Sequence, residues 1–251
     1  MALGMFCGIP LPFHIWDEKL SSIMTASLPL VGLVIGALWW AAGFLLTFID
    51  FPLLMAAAVL TAAPFFLTGF IHLDGYMDTS DAFFSRRPLE EKLRILKDPA
   101  AGAFAVIMLA VLFLLQFAAM YTITENKRYL AMFTAICVMS RCCSALSIFV
   151  MRHLPISGYS AMLGKNKHIK NRIFIIIIAL IILTLSFLYA DIIGLIVTIT
   201  VILSYTAAIG IVYREFKGIS GDLLGYSLVI SELCGLIALA LLQGLEVRLW
   251  F

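Results

Sequence analysis

The chain has 251 residues, 63% of them hydrophobic and only 13% charged, with a mean hydropathy of +1.07. That composition excludes an ordinary soluble domain and points to an integral membrane protein. A formal net charge of +2 is too small to argue for a nucleic-acid partner, and none is expected.

Seven mostly apolar runs, each close to the roughly 20 residues needed to cross a bilayer, divide the chain at 28–48, 51–70, 103–123, 130–151, 173–189, 192–213 and 225–245. No basic segment followed by a short apolar core precedes them, so the first run is expected to serve for targeting in place of a cleavable signal. Only Ile49-Asp50 separates the first two runs and only Ala190-Asp191 the fifth and sixth, which predicts a tight helical hairpin at each place. With the N-terminus inside, the inner connections hold Lys19, five basic residues in 69–102, five in 152–172, Arg214 and Lys217, against Lys127, Arg128 and Arg248 outside. This excess predicts an inside N-terminus and an outside C-terminus. No internal repeat is visible. The fold expected is all-α, a polytopic transmembrane bundle forming a single domain over 1–251, with 69–102 as its cytoplasmic active-site segment.

That segment holds the run His72-Leu73-Asp74-Gly75-Tyr76-Met77-Asp78-Thr79-Ser80-Asp81 and ends with Lys97-Asp98. Asp74, Asp78 and Asp81 are spaced four and three apart, so on a helix their carboxylates project from one face. Like charges so close repel unless a cation sits among them. Hard oxygen donors without thiolates favour magnesium, manganese or calcium over zinc, and magnesium commonly combines few carboxylates with substrate phosphate oxygens. The bland alternative is a solvated helix face. His72 is read as sharing an edge of that face, and the second run as continuing helically through Phe70. Further on, Pro88, Glu90, Glu91, Lys92, Arg94 and Lys97 describe a short helix with acid first and base last. Its Leu89, Leu93 and Leu96 form an interfacial stripe. Pro99 and Gly102 break the chain, and the free N–H groups of the next helix near Gly102 offer a place for a phosphate.

Two charges fall inside later runs, Arg141 in the fourth and Glu232 in the seventh. Each costs about 2.5–3.5 kcal/mol in a membrane helix, so they either pair with each other or Arg141 meets an anionic substrate group. Asp222 stands in Gly218-Ile219-Ser220-Gly221-Asp222-Leu223-Leu224-Gly225, whose glycines allow close approach of backbone or ligand. The five cysteines form no C-x-x-C pair, and four read as small buried hydrophobes.

The H-L-D-G-x-x-D-T-x-D run at 72–81, the K-D-x-x-x-G at 97–102, the Ser140-Arg141 pair and the G-x-x-G-D-x-L-G at 218–225 together resemble the cobalamin synthase family, the adenosylcobinamide-GDP ribazoletransferases of bacterial vitamin B12 assembly. Pro29-Leu30-Val31-Gly32, Ile35-Gly36, Leu154-Pro155 and Leu163-Gly164 match it in the same order. The resemblance runs over nearly the whole chain. It implies a magnesium-dependent enzyme of the bacterial inner membrane, with its active site facing the cytoplasm, that joins adenosylcobinamide-GDP to alpha-ribazole or its 5′-phosphate and releases GMP. Homo-oligomerisation is left open.

On that resemblance Asp74, Asp78 and Asp81 ligate metal, with Asp98 or Asp222 completing the set. Lys97 and Arg141 bind phosphate oxygens, and one carboxylate or His72 acts as general base. Two positions depart from the family pattern: Gly8 stands where most relatives carry an Arg two positions before the first proline of an R-x-P-x-P stretch, and Ala82 follows the last Asp where many have Gly. Two rival readings remain. A CDP-alcohol phosphotransferase also gathers aspartates, but its D-G-x-x-A-R is missing, since Asp78 follows Asp74-Gly75-Tyr76-Met77. A cation-coupled secondary transporter would place its site near the membrane midplane in repeated architecture.

Overall fold

The computed structural model describes residues 1–8, 17, 20–155 and 169–249, with side chains through 245. Leu163-Gly164 and the prolines at 10 and 12 lie outside the described residues. The helices in chain order are α1 (Ala2–Phe6), α2 (Ser21–Ala26), α3 (Leu28–Phe48), α4 (Leu53–Leu67), α5 (Ile71–Phe84), α6 (Leu89–Ile95), α7 (Ala103–Asn126), α8 (Met132–Val150), α9 (Ile169–Phe216) and α10 (Gly221–Leu249). No strand occurs among the described residues, in keeping with the all-α expectation. Five helices, α3, α7, α8, α9 and α10, are long and apolar enough to cross a membrane, and α4 with α5 makes a sixth only if the bent pair counts as one span.

The fifth and sixth apolar runs both lie within α9. Ala190 and Asp191 leave helical geometry there, and the Ser186 carbonyl comes up against Gly194. In a straight helix those two residues would stand about 12 Å apart, so the chain doubles back at Ala190-Asp191, the predicted hairpin.

Helix α8 is the most enclosed of the long helices. It packs on α3 where Gly32 and Gly36, one turn apart, remove side chains from the contact. A Cβ at Gly32 would stand 2.6 Å from Arg141 Cδ and from the Cys137 carbonyl oxygen, and one at Gly36 2.5 Å from Thr134 Cα. Small residues at this spacing let membrane helices approach backbone to backbone. Trp39 locks the contact: its indole N–H donates to the Leu60 carbonyl at 2.8 Å, and its ring stacks on Phe133 with centroids 4.6 Å apart. The cysteines are all free.

The second run does not continue as a helix through Phe70. Helix α4 stops at Leu67, and α5 leaves it at 91°. Gly69 (φ +60) and Phe70 (φ +64) are left-handed, with Phe70 N–H bonding the Phe65 carbonyl at 2.9 Å and Gly69 N–H the Phe66 carbonyl at 3.1 Å. This is a Schellman cap with glycine at its left-handed position. The elbow lays α5 across the bundle end instead of extending α4 out of it, and α5 is not among the five spanning helices.

The connections expected on one side of the membrane meet at that end. Leu154 N–H bonds the Ile219 carbonyl at 2.8 Å and Ile219 N–H the Arg152 carbonyl at 2.9 Å. Helix α6 forms as predicted behind Pro88. Its Lys92 is not a solvated charge, being only 5% exposed, paired with Glu215 near the end of α9 and set over the Phe83 ring. At the opposite end Lys127 pairs with Asp50 at 3.2 Å and Gln243 donates to the Arg128 carbonyl at 2.6 Å.

Candidate active site

Helix α5 positions the first three carboxylates. Its inner face, including Leu73, Gly75, Tyr76 and Thr79, is buried, while Asp74 is exposed and Asp78 and Asp81 half-buried. Tyr76 fixes the rotation of the helix. Its hydroxyl donates to the Met108 carbonyl of α7 at 3.1 Å, and its ring stacks on Tyr226 of α10 at 5.5 Å.

A fourth carboxylate arrives from α10. Gly75 packs on the backbone of Asp222, where a Cβ would stand 2.8 Å from Cα and 2.9 Å from the carbonyl oxygen. One turn on, a Cβ at Gly225 would stand 3.4 Å from His72 Cα. The helix starts here because Ser220 caps it: its hydroxyl accepts the Leu223 N–H at 3.4 Å and donates to Asp222 Oδ2 at 3.3 Å. The serine just ahead of the last run is the sequence signal for this cap.

Electrostatics marks the cluster. The Asp78 carboxyl is pushed up to about 7, first by burial and then by the negative charges of Asp74, Asp222 and Asp81. Such a set holds protons or a cation in preference to standing fully ionised. All its donors are hard oxygens, which suits magnesium or a similar ion. The side chains nevertheless stand apart: among the described residues no three His, Cys, Asp or Glu groups are drawn together closely enough to hold an ion. Binding one therefore requires the exposed and half-exposed carboxylates to turn inward.

Other expected site residues take different places. Asp98 is exposed and accepts the Ala100 N–H at 3.0 Å, and it is not among the charges that perturb Asp78. Of the two candidates for the fourth carboxylate, Asp222 is the one that packs on α5 and whose charge acts on Asp78. Lys97 is exposed in the same turn. At Gly102, the N-cap of α7, a Cβ would run into the Asp81 carboxylate. The Asp81 carboxylate thus lies beside that helix end.

His72 does not share the aspartate edge. Two residues from Asp74 is about 200° around a helix, and the ring turns inward, near-parallel to Phe6 with centroids 6.5 Å apart. Burial, then the charge of Arg141, lowers its pKa to about 3, which makes it a poor proton acceptor. Arg141 itself is 1% exposed and pairs with Glu232. Its Nη1 also donates to the Cys137 carbonyl at 3.0 Å, and Ser140 Oγ donates to Glu232 Oε1 at 2.9 Å. The pairing weighed for the two membrane charges is therefore present, with Ser140 as a third member that the sequence did not disclose.

Gly8 also has a structural reason. Its N–H donates to the Leu67 carbonyl at 2.7 Å, and a Cβ would lie 2.7 Å from Gly69 N and 2.8 Å from the Phe66 carbonyl oxygen. The Arg expected at this position would not fit without moving the N-terminal segment off the α4–α5 elbow.

The family model described as cobalamin-5-phosphate synthase matches residues 1–240. The adenosylcobinamide-GDP ribazoletransferase of Clostridium botulinum (strain Alaska E43 / Type E3) is 35% identical over 243 residues, covering 96% of each chain. That of Lachnoclostridium phytofermentans is 32% identical over 250 residues, covering 97% of this chain and 93% of its own. That of Listeria monocytogenes is 30% identical over 253 residues, covering 98% of each. No solved structure matches this chain.

Proposed function

This chain belongs to the cobalamin-5-phosphate synthase family, and on that premise we propose that it is an adenosylcobinamide-GDP ribazoletransferase of late cobalamin biosynthesis, with its reaction centred on Asp74, Asp78, Asp81 and Asp222. A ribose hydroxyl of alpha-ribazole, or of its 5′-phosphate, attacks the cobinamide-side phosphorus. A new P–O bond forms, the pyrophosphate bridge breaks, GMP leaves, and the hydroxyl proton passes to a base. The relatives' names lend no support to the CDP-alcohol or transporter readings.

The observation that carries this reading is the Gly75–Asp222 contact at the α5–α10 crossing, which brings the charges of Asp74, Asp81 and Asp222 to bear on Asp78. Magnesium bound there would neutralise the pyrophosphate charge and hold its oxygens. The carboxylates of α5 present their oxygens from one helical face, and Asp222 closes the set from α10. The base role goes to a carboxylate of this cluster and not to His72, which is inward-facing and weakly basic. Exposed Lys97 is available to a phosphate oxygen at the same bundle end. Arg141, bound to Glu232 behind α5, is not assigned to the phosphates.

The basic residues of 69–102 and 152–172 support a bacterial inner-membrane protein with this end facing the cytoplasm. The test is direct. Protein purified in detergent and given adenosylcobinamide-GDP, alpha-ribazole and magnesium should release GMP in step with cobalamin formation. Absence of GMP release, or turnover of a CDP-alcohol instead, would overturn the reading.

A further inference from the structure

Behind the aspartate face lies a cavity of about 130 Å³, open at its mouth, between α1, α3, α5, α8 and α10. Its wall is mostly apolar, with Phe6, Leu28, Ile148 and Leu228 contributing, and its polar groups include His72, Arg141, Ser144 and Asp222. Two buried atoms of the wall residues, Arg141 Nε and His72 Nε2, have no hydrogen-bond partner. An arginine is always charged, so its Nε–H is a donor in want of an acceptor, and a buried donor left so is costly. Glu232, Ser140 and Cys137 all bond Nη1 of this guanidinium, and Nε is left as a buried, oriented donor.

Resting on the ribazoletransferase reading, we infer that this cavity binds the aromatic base of the ribazole substrate, with its free ring nitrogen accepting the Arg141 Nε–H and its ribose directed to Asp222. An apolar cavity of about 150 Å³ takes benzene, so one of this size encloses a flat ring system, leaves the attached sugar at its open mouth, and is too small for a corrinoid. Guanine carries donors and acceptors along a whole edge, and an apolar wall would leave most of them unpaired. A methylated benzimidazole is a flat apolar body with a single free ring nitrogen. That matches a greasy slot in which the Arg141 Nε–H is a buried group that can only donate and has no acceptor. Asp222 serves both sites: it lines the cavity, and its charge acts on Asp78 in the carboxylate cluster. A nucleoside seated in the cavity thus presents its sugar hydroxyls beside the pyrophosphate site.

The test fills the cavity from two walls, with Ser144→Phe on α8 and Leu228→Phe on α10, in detergent-purified full-length protein. Binding of alpha-ribazole alone is measured by calorimetry, and turnover is followed by GMP release. The KM and Kd for alpha-ribazole should rise about tenfold or more, with the KM for adenosylcobinamide-GDP and the magnesium response unchanged. The riboside of dimethylindole, which lacks the free nitrogen, should bind the wild type about tenfold more weakly than alpha-ribazole. If either variant folds and keeps the wild-type ribazole KM and Kd, or if the loss falls on the corrinoid substrate, the cavity assignment is wrong while the enzyme assignment stands. If the wild-type protein neither releases GMP nor binds alpha-ribazole, the functional reading itself falls and this inference with it.

Discussion

Gly75 lies so close to Asp222 that a Cβ on it would stand 2.8 Å from the Asp222 Cα. This contact joins α5 to α10 and sets the distance between the aspartates of one helix and the carboxylate of the other. At 2.8 Å something must shift, and both partners are backbone. Gly75→Ala should therefore lower kcat by about tenfold to a hundredfold, the scale for misplacing reacting groups by an ångström. Gly225→Ala, with its nearest contact at 3.3 Å, should cost less, and Gly210→Ala, with nothing within 4 Å, should be silent. Steady-state turnover of the three variants checks the order, and an inactive Gly210→Ala would break it.

Asp78 gives a pH-dependent signature in the absence of divalent cation. Its carboxyl holds a proton to about 7 in the fold against an ordinary value of 3.8, so the folded state binds that proton more tightly than the unfolded chain. The stability it contributes is complete below pH 4 and is lost as pH rises through 7. Asp78→Asn removes this loss. It should raise the unfolding temperature at pH 8 by about 2–4 °C relative to its effect at pH 5, while turnover disappears. Magnesium at pH 8 should stabilise the wild type more than the variant, as thermal unfolding in detergent would show.

Asp74→Asn and Asp222→Asn should each cost about a thousandfold in kcat, as expected when charge stabilisation at a phosphoryl centre is removed. His72→Gln should behave differently. Because the ring lines the rear cavity and lies on the opposite side of α5 from Asp74, Asp78 and Asp81, the change should appear mainly in the KM for ribazole, with the pH–rate profile unmoved. A kcat loss of about 10²–10⁴, the range for removing a general base, would return His72 to the reaction.

The Arg141–Glu232 pair is enclosed in the bundle, with Arg141 1% exposed. Removing either partner leaves a buried charge alone, at a cost of about 3–5 kcal/mol. Glu232→Met and Arg141→Met should each lower the unfolding temperature sharply, and the double variant should recover part of the loss. A double-mutant cycle on detergent-solubilised protein measures the coupling, and additive effects would show that the pair is not an energetic unit.

Local periodicity made much of this legible. The four-and-three spacing of Asp74, Asp78 and Asp81 placed them on one helix face, and the charge of Asp191 between two apolar runs placed the hairpin at Ala190-Asp191. The end of α4 was concealed because Phe65 to Ile71 contains so many apolar residues, leaving Gly69 as the signal of a left-handed cap. The position of His72 was available from the 200° offset and was misread. The pairing of Lys92 was not legible because its partner, Glu215, lies 123 residues later.

The amino-acid order alone determined the membrane class, the runs able to span and the acidic face, since hydropathy and helical phase depend on near neighbours along the chain. Tertiary packing decided that Asp222 and not Asp98 joins that face, that Asp81 occupies the start of α7, and that Arg141 closes a cavity behind it. Each of these depends on a close approach where a glycine omits a side chain, at Gly75, Gly102 and Gly32, and such a meeting is a property of helices packed in three dimensions.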